Sequence, residues 1–179
     1  MRFAGFTESW DLHRLGDLGG IRSGVGFPDA EQGGSEGIPF FKVSDMNNKG
    51  NENEMNYANN YVNDSQIERM KWTPVRDVPA VIFAKVGAAI MLNRKRLVKI
   101  PFMIDNNTMA YVFDNTWDVY YGKILFDSIN LPQYAQIGAL PSYNASDIGN
   151  IEVLMPCKAE QIAIGNFFRV LSELIKLHS

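Results

Sequence analysis

The chain has 179 residues, 46% hydrophobic and 21% charged, a composition that supports one globular core and excludes the polar, highly charged class of disordered chains. Its formal net charge of -3 departs from the basic balance usual in nucleic-acid-binding domains. The opening residues, with Arg2 and Glu8, carry no apolar run, and no window holds the roughly 20 apolar residues of a membrane span, so a cytoplasmic protein is expected.

Eight glycines between Gly16 and Gly37, with Pro28 among them, rule out a long helix in that stretch. Residues 38–43 read as a short strand whose Pro39 suits a strand start or an edge, followed by a polar loop or hairpin over residues 44–50. Ser65-Gln66-Ile67-Glu68 fits a capping box that opens a short helix to about Trp72, stopped by Pro74. Ala80–Ala84 is a continuous apolar run bounded by Pro79 and Gly87, short enough to favour a buried strand. Asp105-Asn106-Asn107 predicts a turn, and Thr108–Phe113 the next strand. Asn115 or Thr116 is placed to cap a helix running to about Ile129, and residues 151–154 read as the last short strand.

Beyond Pro156, residues 159–179 lack proline and hold one early glycine, Gly165. Ile164, Phe167, Leu171, Leu174 and His178 recur at alternating three and four spacing, broadened by Ile162, Phe168, Ile175 and Leu177. This predicts a helix of about 20 residues, on the order of 30 Å long. Such a stripe docks either on the chain's own body or on another helix. The chain is thus expected to be α+β: a single globular domain over residues 1–156, with a mixed, mostly antiparallel sheet and short helices, then a long helix over residues 157–179.

Charge is unevenly spread. Residues 78–104 contain no acidic side chain, while Lys85, Arg94, Lys95, Arg96 and Lys99 make the segment +5. It is either an ordinary solvated hairpin or a face for a polyanion. Catalytic chemistry finds little support. None of the eight prolines are adjacent, so the Pro-Pro-aromatic element that holds a target amine for methyl transfer is missing. Gly24-Val25-Gly26 opens like a nucleotide-binding loop, but Asp29 stands where the third glycine belongs. Only two histidines could serve as a base for a nucleophile: His13, between Leu12 and Arg14, reads as a surface residue, and His178, on the terminal stripe, as packing or solvent-facing. Pro28-Asp29 is not followed by the Glu-x-Lys of a metal-dependent nuclease, and Cys157 reads as a small buried apolar residue. What remains is a set of hydrogen-bonding loops at residues 44–49, 93–96, 106–108 and 142–144. Amides read adenine, and arginine or lysine reads guanine or holds phosphate, although the same residue types also form ordinary turns.

Several blocks follow one another in a telling order. Arg2-Phe3-Ala4-Gly5-Phe6, Trp10 and Leu15-Gly16-Asp17 come first, then Gly24-Val25-Gly26-Phe27-Pro28 and Gly37-Ile38-Pro39-Phe40-Phe41-Lys42-Val43-Ser44-Asp45-Met46. Lys85-Val86-Gly87-Ala88 follows the central strand, and Leu140-Pro141-Ser142-Tyr143-Asn144, Ile148, residues 151–156 and Glu160-Gln161 lead into the long helix. No block is specific alone, but their order over nearly the whole chain resembles the target-recognition domain of type I restriction-modification specificity subunits.

The resemblance implies a non-catalytic subunit that binds double-stranded DNA at one half of a bipartite site. It directs methyltransferase (modification) subunits, which carry S-adenosylmethionine, and a restriction motor and nuclease subunit; no cofactor and no metal is expected in this chain. Complete subunits of the family hold two recognition domains joined by paired long helices. One domain and a shortened spacer helix are expected here, as in a fragment, a truncated product or a half-subunit that pairs with a second recognition domain or with itself. The DNA-binding residues implied are Lys42, Ser44 and Asp45 after the first strand, Lys85 after the central one, Arg94, Lys95 and Arg96 at a basic tip, and Ser142, Tyr143 and Asn144 in the closing block. Lysines and arginines would hold phosphates, while Ser44, Asp45, Tyr143 and Asn144 would face bases. Ile164, Phe167, Leu171, Leu174 and His178 would meet a partner helix. The alternative is a non-catalytic protein-interaction module working through the C-terminal helix.

Overall fold

Every residue of the two apolar runs Ala80–Ala84 and Thr108–Phe113 is buried, and the two pair antiparallel at the centre of the molecule. The computed structural model describes residue 2 and residues 4–177, apart from the side chain of residue 176. Within these residues the strands are β1 (Asp11–Arg14), β2 (Gly19–Ser23), β3 (Ile38–Phe41), β4 (Tyr61–Val62), β5 (Ala80–Ala84), β6 (Lys95–Val98), β7 (Met103–Ile104), β8 (Thr108–Phe113) and β9 (Glu152–Met155). The helices are α1 (Asp64–Met70), α2 (Val119–Ser128), α3 (Ala145–Gly149) and α4 (Lys158–Leu177).

The central sheet has the order β2-β8-β5-β6 and is antiparallel throughout. Because side chains alternate across a strand, the buried runs serve two layers at once. Val81, Phe83, Met109, Tyr111 and Phe113 join Trp117, Phe126, Ile148 and Ile164 in one core. Ala80, Ile82, Ala110 and Val112 face the other way, onto Phe41, Met46, Met55, Phe102 and Ile104. The second layer carries a small sheet, β4-β3-β7, in which β3 and β7 run parallel; β1 and β9 form a separate antiparallel ribbon. The fold is therefore α+β, with the strands divided among three sheets rather than gathered in one.

Helix starts follow side-chain caps. Asn63, not Ser65, caps α1: its side chain accepts the Gln66 amide proton at 2.9 Å while the Gln66 side chain accepts from the Asn63 amide at 3.1 Å. Asp118, not Asn115 or Thr116, caps α2 by accepting from the Tyr121 amide at 2.9 Å. Thr116 is already engaged, its amide donating to Asp114 at 2.8 Å in the preceding turn.

Helix α4 packs across α2 through its first turns, where Glu160, Gln161 and Ile164 are buried. Gly165 makes that approach possible: a Cβ there would lie 2.4 Å from Asp118 Oδ1 and 2.9 Å from the Tyr121 nitrogen. Glu160 is held from the opposite side, accepting from Trp10 Nε1 at 3.1 Å and pairing with Arg2 at 3.4 Å. Further along, Val170, Leu171 and Leu177 are exposed, as are Phe167, Leu174 and Ile175. No described helix is long and apolar enough to cross a membrane.

Candidate nucleic-acid interface

Strand register gathers the polar loops at one end of the central sheet. Ala84 pairs with Thr108, Ser23 with Met109 and Phe83 with Lys95, so β2 and β5 finish where β8 and β6 begin. Ser23, the Asp105–Thr108 turn, Lys85 and Arg94 consequently stand side by side. At roughly 4.8 Å per strand the four strands span about 15 Å, similar to a major groove about 12 Å wide.

The bonds across this end make it rigid. The Lys85 amide donates to the Asn107 carbonyl at 2.7 Å, and the Lys85 carbonyl accepts from the Tyr143 amide at 3.0 Å. Lys85 Nζ lies 3.3 Å from Ser23 Oγ. The parallel pairing of β3 with β7 places the Asp105 amide 3.1 Å from the Phe41 carbonyl, which brings Lys42 and Ser44 to the same end. Arg94 donates to the Asn47 side chain and Arg96 to the Met46 carbonyl at 3.3 Å, fastening the 43–47 turn to β6. The acid-free segment thus spends part of its charge on holding loops.

Of the ten DNA-binding residues expected from sequence, several have surface available. Ser44 and Asn144 are exposed, and Lys42, Lys85, Arg94, Arg96 and Ser142 are partly exposed. Lys42 reaches Gln32 at 3.1 Å. Asn144 is committed to capping α3, where it accepts from the Asp147 amide at 2.9 Å.

Three residues of the set are interior. Asp45 has no exposed surface; it accepts from the Lys42 amide at 2.7 Å and the Asn59 amide at 3.2 Å, while burial pushes its carboxyl pKa up. It shapes the turn and presents nothing to a base. Tyr143 packs edge-on against Phe83, 6.3 Å between ring centres, and burial raises its phenol to about 12. Lys95 is 2% exposed and donates to the Ile129 carbonyl at 2.6 Å; burial lowers its pKa to about 8, despite the counter-pull of Asp127. The basic tip is therefore Arg94 with half-buried Arg96, whose own pKa burial also lowers. Lys99 is elsewhere, paired with Glu54 at 2.9 Å.

The helix residues divide likewise. Ile164 belongs to the chain's own core and is removed from any partner interface, whereas Phe167, Leu171 and Leu174 are 43%, 40% and 49% exposed. His178 lies outside the described residues. Arg22 and Ser23, both exposed at the end of β2, carry no clear sequence signal, because a short glycine-led strand has no strong hydrophobic period. The 106–108 loop is one of four hydrogen-bonding loops that look alike in sequence. The Asp-Asn-Asn turn signal was present, but only strand register shows which loop it joins.

The domain thus combines two layers, an end built of hydrogen-bonding loops and a C-terminal helix whose second half exposes apolar side chains. The family model for the type I restriction modification DNA specificity domain matches residues 7–179, and the chain belongs to that family. Solved structures agree in fold. One, described as revealing complex assembly and conformational transition of the type I restriction-modification system, superposes with a TM-score of 0.73 at 13% identity over 97% of this chain and 41% of that one. The S subunit of the type I system from M. genitalium gives 0.64 at 12% identity, covering 97% and 42%. The HsdS subunit from Thermoanaerobacter tengcongensis gives 0.61 at 13%, covering 98% and 41%. The chain thus spans about two fifths of the length of these structures. No curated protein matches it.

Proposed function

We propose that the chain binds double-stranded DNA sequence-specifically, reading one half of a bipartite site through the loop end of its central sheet. The observation that carries this is the convergence of Ser23, Lys85, Arg94 and the Asp105–Thr108 turn at that end, in a chain of the DNA specificity family. Phosphate contacts from Lys85, Arg94 and Lys42 supply the affinity, and side chains of the turns read base edges. The overall charge of -3 is no obstacle, since a groove meets only the face turned to it.

In this reading the chain is a reader and not a catalyst. Residues 1–156 form the recognition domain and residues 157–179 a spacer. The second half of α4 continues as a coiled-coil spacer that pairs with a second recognition domain or another copy, setting the distance between half-sites. Methyltransferase subunits carrying S-adenosylmethionine, and a motor and nuclease subunit, are the partners, and the setting is the cytoplasm. An interaction module lacking DNA contact is the competing reading, favoured only by the apolar exposure of α4.

Titrating fluorescent duplexes with the chain at 50 to 200 mM salt separates the two. DNA recognition predicts binding that weakens steeply with salt and discriminates among sequences. An interaction module predicts no saturable duplex binding.

A further inference from the structure

Direct readout demands a polar side chain that reaches out from a fixed base and is not already hydrogen-bonded to its own protein. The Asp105–Thr108 turn has both properties. Asp105 is 5% exposed, and its Oδ1 accepts from the Asn107 amide at 3.2 Å and from Thr108 Oγ1 at 2.7 Å. The Thr108 amide closes the turn on the Asp105 carbonyl at 3.0 Å. Behind it, Gly24 allows the chain to pass so closely that a Cβ would lie 1.8 Å from the Asp105 carbonyl oxygen, so the turn cannot retreat. Lys85 pins its far side through the Asn107 carbonyl at 2.7 Å.

Within this frame Asn106 is exposed, and its amide makes no hydrogen bond among the described residues. Other asparagines of the same end are engaged: Asn107 lies 3.5 Å from Asp105, Asn144 caps α3, and Asn47 accepts from Arg94. Flanking Asn106 are the strand ends that carry Ser23 and Lys85, groups suited to the backbone on either side of a groove. A carboxamide matches the edge of adenine, accepting from N6 and donating to N7.

Resting on the DNA-recognition reading above, we infer that Asn106 is a specificity-determining residue that selects an adenine in the half-site. Asp105 shapes the turn that carries it, through its bonds to the Asn107 amide and Thr108 Oγ1.

The test is selection of bound duplexes from a randomised library by the chain, by Asn106→Ala and by Asn106→Gln, each with its salt dependence measured. For Asn106→Ala the expected result is loss of a roughly ten- to hundredfold adenine preference at one motif position. The remaining positions and the salt slope stay as in the parent. Asn106→Gln, which keeps the carboxamide, restores part of the preference. A motif unchanged in Asn106→Ala overturns the inference while leaving DNA recognition intact. A parent chain that selects no motif overturns the DNA-recognition reading, and this inference with it.

Discussion

The side-chain carbonyl of Gln161 accepts the Asp118 amide proton at 2.8 Å, joining the start of α4 to the start of α2 across 43 residues of chain. The Gln161 amide nitrogen turns back to the carbonyls of Thr116 at 3.2 Å and Pro156 at 3.1 Å. Both its donor protons and its side-chain oxygen are engaged where 3% of the residue is exposed. Gln161→Ala is therefore expected to destabilise the fold by about 2–3 kcal/mol, since buried groups lose their partners. Urea denaturation measures this, and a change below about 0.5 kcal/mol would remove the clamp from the account.

Gly165→Ala separates helix propensity from packing. In an isolated helix alanine gains about 1 kcal/mol over glycine. Here the added Cβ meets Asp118 Oδ1 at 2.4 Å, and Asp118 cannot swing away without uncapping α2. A net loss of roughly 1–3 kcal/mol is expected, with the thermal midpoint as the readout. A raised midpoint would mean that α4 does not pack on α2 as described.

Lys95 ties stability to pH. Its pKa is about 8 folded, against 10.5 in the open chain. Below pH 8 both states are protonated, and burial of the charge costs stability. Between about 8 and 10.5 the unfolded chain holds more protons than the folded one, so stability from this group rises with pH. Lys95→Met should stabilise the fold at pH 7 by on the order of 1–3 kcal/mol, and that advantage should shrink by pH 10. Ile129 retains a donor in the variant, Asn93 Nδ2 at 3.3 Å. An advantage independent of pH would contradict the assignment.

Neutralising exposed cations tests the interface without unfolding it. Lys85→Ala should weaken binding to all duplexes alike and reduce the salt slope by about 1, leaving the selected motif unchanged. Neutralising the whole 94–96 triplet would be a poor probe, because Lys95 is interior. A Lys85→Ala chain with parental affinity and slope would place the phosphate contacts elsewhere.

Leu171→Glu addresses the spacer role proposed for α4. Leu171 is 40% exposed on the second half of α4, so a carboxylate there disturbs little of the body and much of a helix pairing. Weaker self-association by light scattering, with an unchanged thermal midpoint, is the expected outcome.

Much of this architecture was legible in sequence. The two central strands announced themselves because β5 and β8 are buried on both faces and hence uninterrupted by polar residues. The long helix did so by its stripe, but periodicity cannot tell which half of a stripe meets the body; Ile164 and Leu171 read alike and end in different places. Caps were misplaced by two or three residues, because Asn63 and Ser65, or Thr116 and Asp118, are chemically equivalent candidates until the surrounding bonds are known. The site was legible only as loops. Asp45 and Tyr143 look like polar surface residues, yet backbone amides satisfy the first and aromatic packing holds the second. Nothing local to Asn106 reveals that β5 and β2 end beside it.

The most direct measurement is a map of DNA methylation in cells that co-express the chain with a modification subunit, the partner proposed above. The account predicts a new methylated-adenine motif in which one half-site changes when Asn106 is replaced by alanine and disappears when the chain is omitted. A methylation pattern identical with and without the chain would contradict it.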